Sequence, residues 1–187
     1  MIIIDPTAII ADPISFTFVD YPEPSATAMV VYFFGCDHNC AGCHNPELQS
    51  QFPKKNPFKL YTPKTLFDAL LELTEKHRTT NVIFSGGDPL HPENRTFVRH
   101  FLGLNNGNLG VCIFTGYDEN YAKNWGINDF DYLKTGTYIE TLKQQSVKTD
   151  RVYQLASQNQ KLFGRDYKLL TNPTGTYYFN EGENTKI

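Results

Sequence analysis

The stretch AMVVYFFGCDHNCAGCH, residues 28–44, decides the fold and points to the chemistry of this chain. Its first part, Ala28 to Phe34, is continuously apolar and rich in Val, Tyr and Phe, which is typical of a buried strand. Cys36, Cys40 and Cys43 follow immediately. Because ligands bind at the carboxyl ends of the strands in parallel α/β sheets, the cysteines stand where a site is expected.

The C-x3-C-x2-C spacing indicates a metal site rather than a disulfide framework, whose cysteines would be spread through the chain. A cubane iron–sulfur cluster normally takes four thiolates, so three would leave one iron open. The alternative is structural zinc, with His38 or His44 as the fourth ligand. Zinc sites usually come as two paired halves, and no second half is visible, which favours the cluster. The fourth cysteine, Cys112, lies in an apolar run and is expected to be a small buried side chain.

Strands and helices alternate after the cysteines. Thr62 and Pro63 are typical of a helix start, and the apolar spacing predicts a helix that continues to about His77. A second helix is predicted to open at Pro92. Short apolar runs between turn signals predict strands at 81–84, 110–114 and 130–133. This alternation predicts an α/β fold with a parallel sheet and right-handed crossovers.

Two of the predicted strands end in residues that suit a ligand. Gly86-Gly87-Asp88-Pro89 follows the strand at 81–84, and Thr115-Gly116 follows the strand at 110–114. Glycines let a ligand approach the backbone closely, and the Asp88 carboxylate would accept a hydrogen bond from a cationic amino group. Gly-Gly-Asp-Pro is also a good strand-to-helix turn, and both interpretations stay open.

Length and composition exclude several classes of protein. The 187 residues predict one domain, residues 1–187, with a core of about 14–145 and a C-terminal extension of about 146–187. With 17 Lys and Arg against 20 Asp and Glu, the net charge of −3 argues against a nucleic-acid partner. The longest apolar stretch is far shorter than the ~20 residues of a membrane span, and the N-terminus does not read as a secretory signal. We therefore expect a soluble, cytoplasmic protein.

The cysteine spacing resembles the signature of the radical S-adenosylmethionine (SAM) superfamily, and Gly86-Gly87-Asp88-Pro89 resembles the glycine-rich motif of that superfamily. Phe18-Val19-Asp20-Tyr21-Pro22 and Phe114-Thr115-Gly116-Tyr117 extend the likeness over roughly residues 14–165. Together these pieces are similar to the activating proteins of anaerobic (class III) ribonucleotide reductases.

The resemblance implies a partial (βα) barrel with a curved parallel sheet, of the radical SAM type. It also implies a [4Fe–4S] cluster on Cys36, Cys40 and Cys43, whose open iron is chelated by the amino and carboxylate groups of SAM. Many superfamily members have an aromatic residue where this chain has Gly42, so the adenine contact would fall to the backbone or to His44. The residues expected to bind the cofactor are Gly42, His44, Gly86, Gly87, Asp88, Pro89, Thr115 and Gly116. No side chain is expected to act as a catalytic acid or base.

In activity, the resemblance implies a radical SAM oxidoreductase. The reduced cluster passes one electron to SAM, and the 5′-deoxyadenosyl radical removes hydrogen from a glycine of the reductase large subunit, leaving a glycyl radical. A flavodoxin or ferredoxin would donate the electron. The alternatives are another small radical SAM enzyme, either a different glycyl-radical activase or one like 7-carboxy-7-deazaguanine synthase, or a non-catalytic module stabilised by zinc.

Overall fold

The structure is a computed structural model that describes residues 5–53 and 57–179. Over these residues the chain forms a mixed α/β fold. The strands, in chain order, are β1 (Ala8–Ala11), β2 (Ser15–Thr17), β3 (Ala28–Phe33), β4 (Phe58–Tyr61), β5 (Asn81–Gly86), β6 (Gly110–Phe114), β7 (Tyr132–Thr135), β8 (Val147–Lys148), β9 (Val152–Gln154), β10 (Lys161–Phe163) and β11 (Thr176–Tyr178). The α-helices are α1 (Pro63–His77), α2 (Arg95–Asn105) and α3 (Glu119–Asn124).

The larger sheet is parallel at its centre. In the described part of the chain its order is β10-β7-β6-β5-β3-β1-β4, and β2 pairs with β3 outside this path. Strands β3, β5, β6 and β7 run parallel, whereas β1, β2, β4 and β10 are antiparallel to their neighbours. The predicted α/β fold with a parallel central sheet is therefore confirmed, while its closure into a partial barrel stays a prediction. A second, antiparallel sheet has the order β11-β9-β8.

The first helix forms where the sequence predicts it. The Thr62 side chain accepts a hydrogen bond from the Thr65 amide, the Thr65 hydroxyl accepts one from the Thr62 amide, and Pro63 occupies the first turn. These bonds satisfy amide groups that a helix start otherwise leaves unpaired. The helix ends at His77, as expected, and Arg78 follows in the left-handed conformation.

Successive side chains along a strand point to opposite faces of the sheet, and the two faces contact different parts of the protein. One face packs on α1 and α2 through a core in which Phe84 contacts both Phe33 and Phe101 edge-on, with ring centroids 5.3 and 5.0 Å apart. The opposite face of the parallel strands borders a cavity, which Tyr153 and Leu155 close from the side of the smaller sheet. One face therefore carries the larger core, whereas the opposite face carries a smaller buried cluster and borders the cavity.

Some elements lie elsewhere than the sequence predicts. The strand expected at 130–133 is β7 at Tyr132–Thr135. Before β7 begins, the Asp131 amide donates to the Val111 carbonyl oxygen and the Asp131 carboxylate accepts from the Val111 amide, both at 2.8 Å. The Asp131 side chain thus takes the place of a backbone partner, and the strand starts at the next residue. The helix expected at Pro92 begins at Arg95, after a turn. Strand β10, from the predicted C-terminal extension, joins the main sheet beside β7.

A lysine ties the smaller sheet to the loop that precedes β3. The Lys148 ammonium donates hydrogen bonds to the carbonyl oxygens of Tyr21 and Ala26, at 3.0 and 2.9 Å. Burial lowers the pKa of this lysine.

No helix within residues 5–53 and 57–179 is both long and apolar enough to cross a membrane.

We predict that Lys148→Met destabilises the fold by about 2 kcal/mol, because it removes two hydrogen bonds from a charged donor and leaves their carbonyl acceptors without it. Urea unfolding followed by circular dichroism measures the change. Lys76→Met, at an exposed position of α1, is the control and should change the free energy of unfolding by less than about 0.5 kcal/mol. Equal stability of the two variants would contradict the tethering role of Lys148.

Candidate cluster and cofactor site

The cysteine loop, residues 36–43, leaves the carboxyl end of β3 and is held at its start by the segment that follows it. The amides of Gly35 and Cys36 donate to the carbonyl oxygens of Leu48 and Gln49, both at 2.9 Å. The thiols of Cys36, Cys40 and Cys43 are free and half-exposed, whereas Cys112 is buried in β6, as the sequence predicts. Burial raises the pKa of the Cys36 thiol to about 11.

The glycine pair at the end of β5 allows the cysteine loop to pass within contact distance. The Gly87 amide donates to the Phe33 carbonyl oxygen at 2.8 Å. A Cβ atom on Gly87 would lie 2.5 Å from the Gly35 oxygen, and one on Gly86, whose φ is +110°, would lie 2.6 Å from the Phe33 nitrogen. Both glycines are thus required by backbone packing. That a ligand also contacts them stays a prediction.

Asp88 is the best-satisfied side chain of the site. It is 1% exposed, and its carboxylate accepts hydrogen bonds from the Leu90 amide (2.7 Å), the Thr115 hydroxyl (2.8 Å), the Gly116 amide (2.8 Å) and His38 Nε2 (2.9 Å). A carboxylate has about four acceptor positions, so these protein donors fill it. The expected bond from Asp88 to an amino group of the ligand stays a prediction, and it would require one of these donors to move.

His38, which the sequence offers as an alternative zinc ligand, contacts the end of β6 and Asp88 in the structure. Its ring lies on Gly116, where a Cβ atom would come within 2.3 Å of the ring carbon Cδ2. Gly116 therefore makes room for the imidazole to reach Asp88. The hydrogen bond to Asp88 raises the pKa of His38. No sequence signal joins these residues, because His38 and Asp88 are 50 positions apart.

A cavity of about 430 Å³ opens between the cysteine loop, the ends of the parallel strands and the smaller sheet. It collects most of the residues expected at the cofactor, and Pro89 is buried outside the lining. The predicted site residues that line the cavity are Cys36, Cys40, Gly42, Cys43, His44, Gly86, Gly87, Asp88, Thr115 and Gly116.

Lys134 and Tyr138 also line this cavity, although neither is among the site residues predicted from the sequence. Lys134 stands on β7, and its Nζ lies 4.1 Å from the centre of the Phe114 ring, while burial lowers the pKa of its ammonium group. It has no ion pair with any residue that the structure describes. Tyr138 donates a 2.6 Å hydrogen bond to Glu140, and a Cβ atom on Gly42 would lie 2.8 Å from that same carboxylate.

The donor set fits a cubane cluster. Three free thiols on a single loop border one cavity, and a [4Fe–4S] cluster takes its protein ligands one to an iron, as thiolates. Within the described ranges, no three His, Cys, Asp or Glu side chains converge closely enough to bind a single metal ion.

Comparison with known proteins agrees with this donor set. A family model described as "4Fe-4S single cluster domain" matches residues 25–163. The anaerobic ribonucleoside-triphosphate reductase-activating protein of Salmonella typhi is 32% identical over 139 residues, which are 69% of this chain and 86% of that protein. The protein of the same name from Enterobacteria phage T4 is 26% identical over 160 residues, 84% of this chain and 92% of that protein.

Among solved structures, QueE from Escherichia coli aligns with a TM-score of 0.43 at 14% identity, covering 58% of this chain and 53% of its own. The sequence matches extend over most of both proteins. The chain therefore belongs to the 4Fe–4S single cluster domain family and to the family of anaerobic ribonucleoside-triphosphate reductase-activating proteins.

Proposed function

We propose that this chain is a radical SAM activating enzyme that generates a glycyl radical on the large subunit of an anaerobic ribonucleotide reductase in the cytoplasm. The observation that carries the proposal is the convergence of three free thiols and the ends of the parallel strands on one cavity. The names of the relatives support the choice of partner. The radical SAM partial barrel remains part of this proposal.

Cys36, Cys40 and Cys43 would hold the cluster and leave its fourth iron to the ligand. When bound, the cluster supplies the single electron that cleaves SAM. The chain itself provides three thiolates and a cavity that is partly closed to water. Because burial raises the pKa of Cys36 to about 11, cluster binding displaces a proton from this thiol. A flavodoxin or ferredoxin would bring the electron.

We propose that SAM lies between the cysteine loop and the ends of the parallel strands. The adenine would lie against the backbone of Gly42 or against His44, and Gly86, Gly87, Thr115 and Gly116 would line the opposite side of the ligand. The Lys134 ammonium, which has no ion-pair partner in the described chain, would bind the carboxylate of the methionine part. Lys134 is partly buried and its ammonium group has lost part of its hydration, so an anionic ligand group suits this position.

The central prediction concerns cleavage of SAM by protein reconstituted with iron and sulfide without oxygen. With dithionite as reductant, the wild-type chain should form 5′-deoxyadenosine, and Cys36→Ala, Cys40→Ala and Cys43→Ala should each abolish it. Cys112→Ala is the matched control and should retain activity, because this cysteine is buried in β6. Unimpaired cleavage by any of the three loop variants, or one zinc ion per chain in protein purified without oxygen, would reject the proposal.

The choice of partner has its own test. Reduced enzyme and SAM are mixed with the large subunit of an anaerobic ribonucleotide reductase, and electron paramagnetic resonance detects the glycyl radical. We expect the radical signal with this partner and none when SAM is omitted. SAM cleavage without a radical on the partner would retain the radical SAM chemistry and exclude this protein substrate, leaving another glycyl-radical partner or a small-molecule substrate.

Lys134→Met should raise the KM for SAM about tenfold or more while kcat falls less, because it removes one charge-assisted contact to the carboxylate. Lys134→Arg should restore part of the affinity. Lys161→Met, which removes an exposed lysine from the neighbouring strand β10, is the control and should leave the KM unchanged. Initial rates of 5′-deoxyadenosine formation across a SAM series measure these values, and an unchanged KM in Lys134→Met would rule out the contact.

A further inference from the structure

A stack of aromatic rings joins α3 to the cysteine loop. The rings of Tyr117 and Tyr121 lie parallel, with centroids 4.0 Å apart and planes at 9°. The Trp125 ring comes next, with its centroid 6.5 Å from that of Tyr121 and its plane tilted by 44°. At the other end, Tyr117 meets the ring of His38 at 4.5 Å, in an edge-on arrangement. We call Tyr117, Tyr121 and Trp125 the aromatic column.

The outer end of the aromatic column is fixed by α2. The Arg95 guanidinium carbon lies 3.3 Å from the centre of the Trp125 ring, and an Arg95 nitrogen donates a hydrogen bond to the Tyr121 hydroxyl. Arginine stacks well on aromatic faces because its planar cation is weakly hydrated. The column is therefore anchored in the helical layer, independently of the loop that it touches.

The inner end of the column reaches the loop between two of the cysteines. The Tyr117 hydroxyl donates a 2.8 Å hydrogen bond to the Asp37 carboxylate. From Asp37 to Gly42, no backbone hydrogen bond joins the loop to another segment of the described chain. The side chains of Asp37 and His38 therefore connect this part of the loop to the sheet, through Tyr117 and Asp88 respectively.

We propose that Tyr117 is a positioning residue for the cluster. It acts through Asp37 and the His38 ring, and by fixing them it sets where Cys36 and Cys40 stand relative to the end of the sheet. It does not line the cavity, so its effect reaches the cluster only through the loop. This inference rests on the proposed function in one respect, namely that the cysteine loop binds the cluster. Groups that orient metal ligands in this way commonly change metal binding by 10–100-fold when removed.

Tyr117→Phe is the test variant, because it deletes only the hydroxyl that bonds Asp37 and keeps the ring stack. Tyr132→Phe is the matched control: it deletes a hydroxyl that donates to another carboxylate, Glu23, at 3.1 Å and away from the loop. After reconstitution, cluster loss to a chelator is followed by absorbance. We expect Tyr117→Phe to lose its cluster about tenfold faster than the wild type, and Tyr132→Phe to match the wild type.

A double-mutant cycle separates positioning from general destabilisation. If Tyr117 acts through Asp37, then Tyr117→Phe and Asp37→Ala should each accelerate cluster loss and the double variant should add little to either. Both single variants should also shift the reduction potential of the cluster, which a uniform loss of fold stability would not do. Additive effects in the cycle, or a wild-type rate of loss in Tyr117→Phe, would overturn the proposal.

A measurement on the apoprotein keeps this inference distinct from the proposed function. Alkylation of Cys36 by iodoacetamide, resolved by mass spectrometry, reports how firmly the loop is held when no cluster is bound. Tyr117→Phe should speed this alkylation by about two- to tenfold, the range expected for loss of one hydrogen bond. If the wild-type chain binds no cluster, the proposed function fails; if alkylation is unchanged in Tyr117→Phe, the positioning role fails, whatever the cluster does.

Discussion

The whole site depends on one buried carboxylate and the donors that surround it. Asp88 stands after β5 and accepts hydrogen bonds from segments that follow three adjacent strands: His38 after β3, Leu90 after β5, and Thr115 with Gly116 after β6. A carboxylate that is 1% exposed is stable only with its acceptor positions filled. Since the donors come from separate segments, the ends of the strands must be aligned before Asp88 can be satisfied. The cysteine loop is thus placed by the electrostatics of the sheet as well as by its own backbone.

The close approach of the strand ends around Asp88 explains why glycines are concentrated at this site. The space that a missing Cβ leaves at Gly87 is taken by the backbone of Gly35, and the space at Gly116 is taken by the ring of His38. A side chain at Gly87 or Gly116 would therefore clash with the protein itself, whether or not a ligand is bound. A cysteine loop that must lie close to two neighbouring strand ends requires glycine at each crossing.

The elements that could be predicted from sequence are those specified locally. The apolar run from Ala28, the helix start at Thr62 and the cysteine spacing each carry their signal within a few residues, and the structure places all three as expected. The short antiparallel strands β1 and β4 have no such signal, because their partners are distant in the chain. Lys134 illustrates the same limit within the site: an isolated lysine after a strand is usually exposed, and only the packing of the smaller sheet over β7 makes it part of a cavity wall.

Trp125 is the only tryptophan of the chain, and it terminates the aromatic column on the side away from the cysteines. Its indole is partly exposed, and one of its faces lies against the Arg95 guanidinium group, 3.3 Å from the ring centre. Iron–sulfur chromophores absorb in the near ultraviolet, where indole emits. The intrinsic tryptophan fluorescence of the unlabelled protein should consequently be quenched when the cysteine loop binds its cluster, so it reports cluster binding without an added dye.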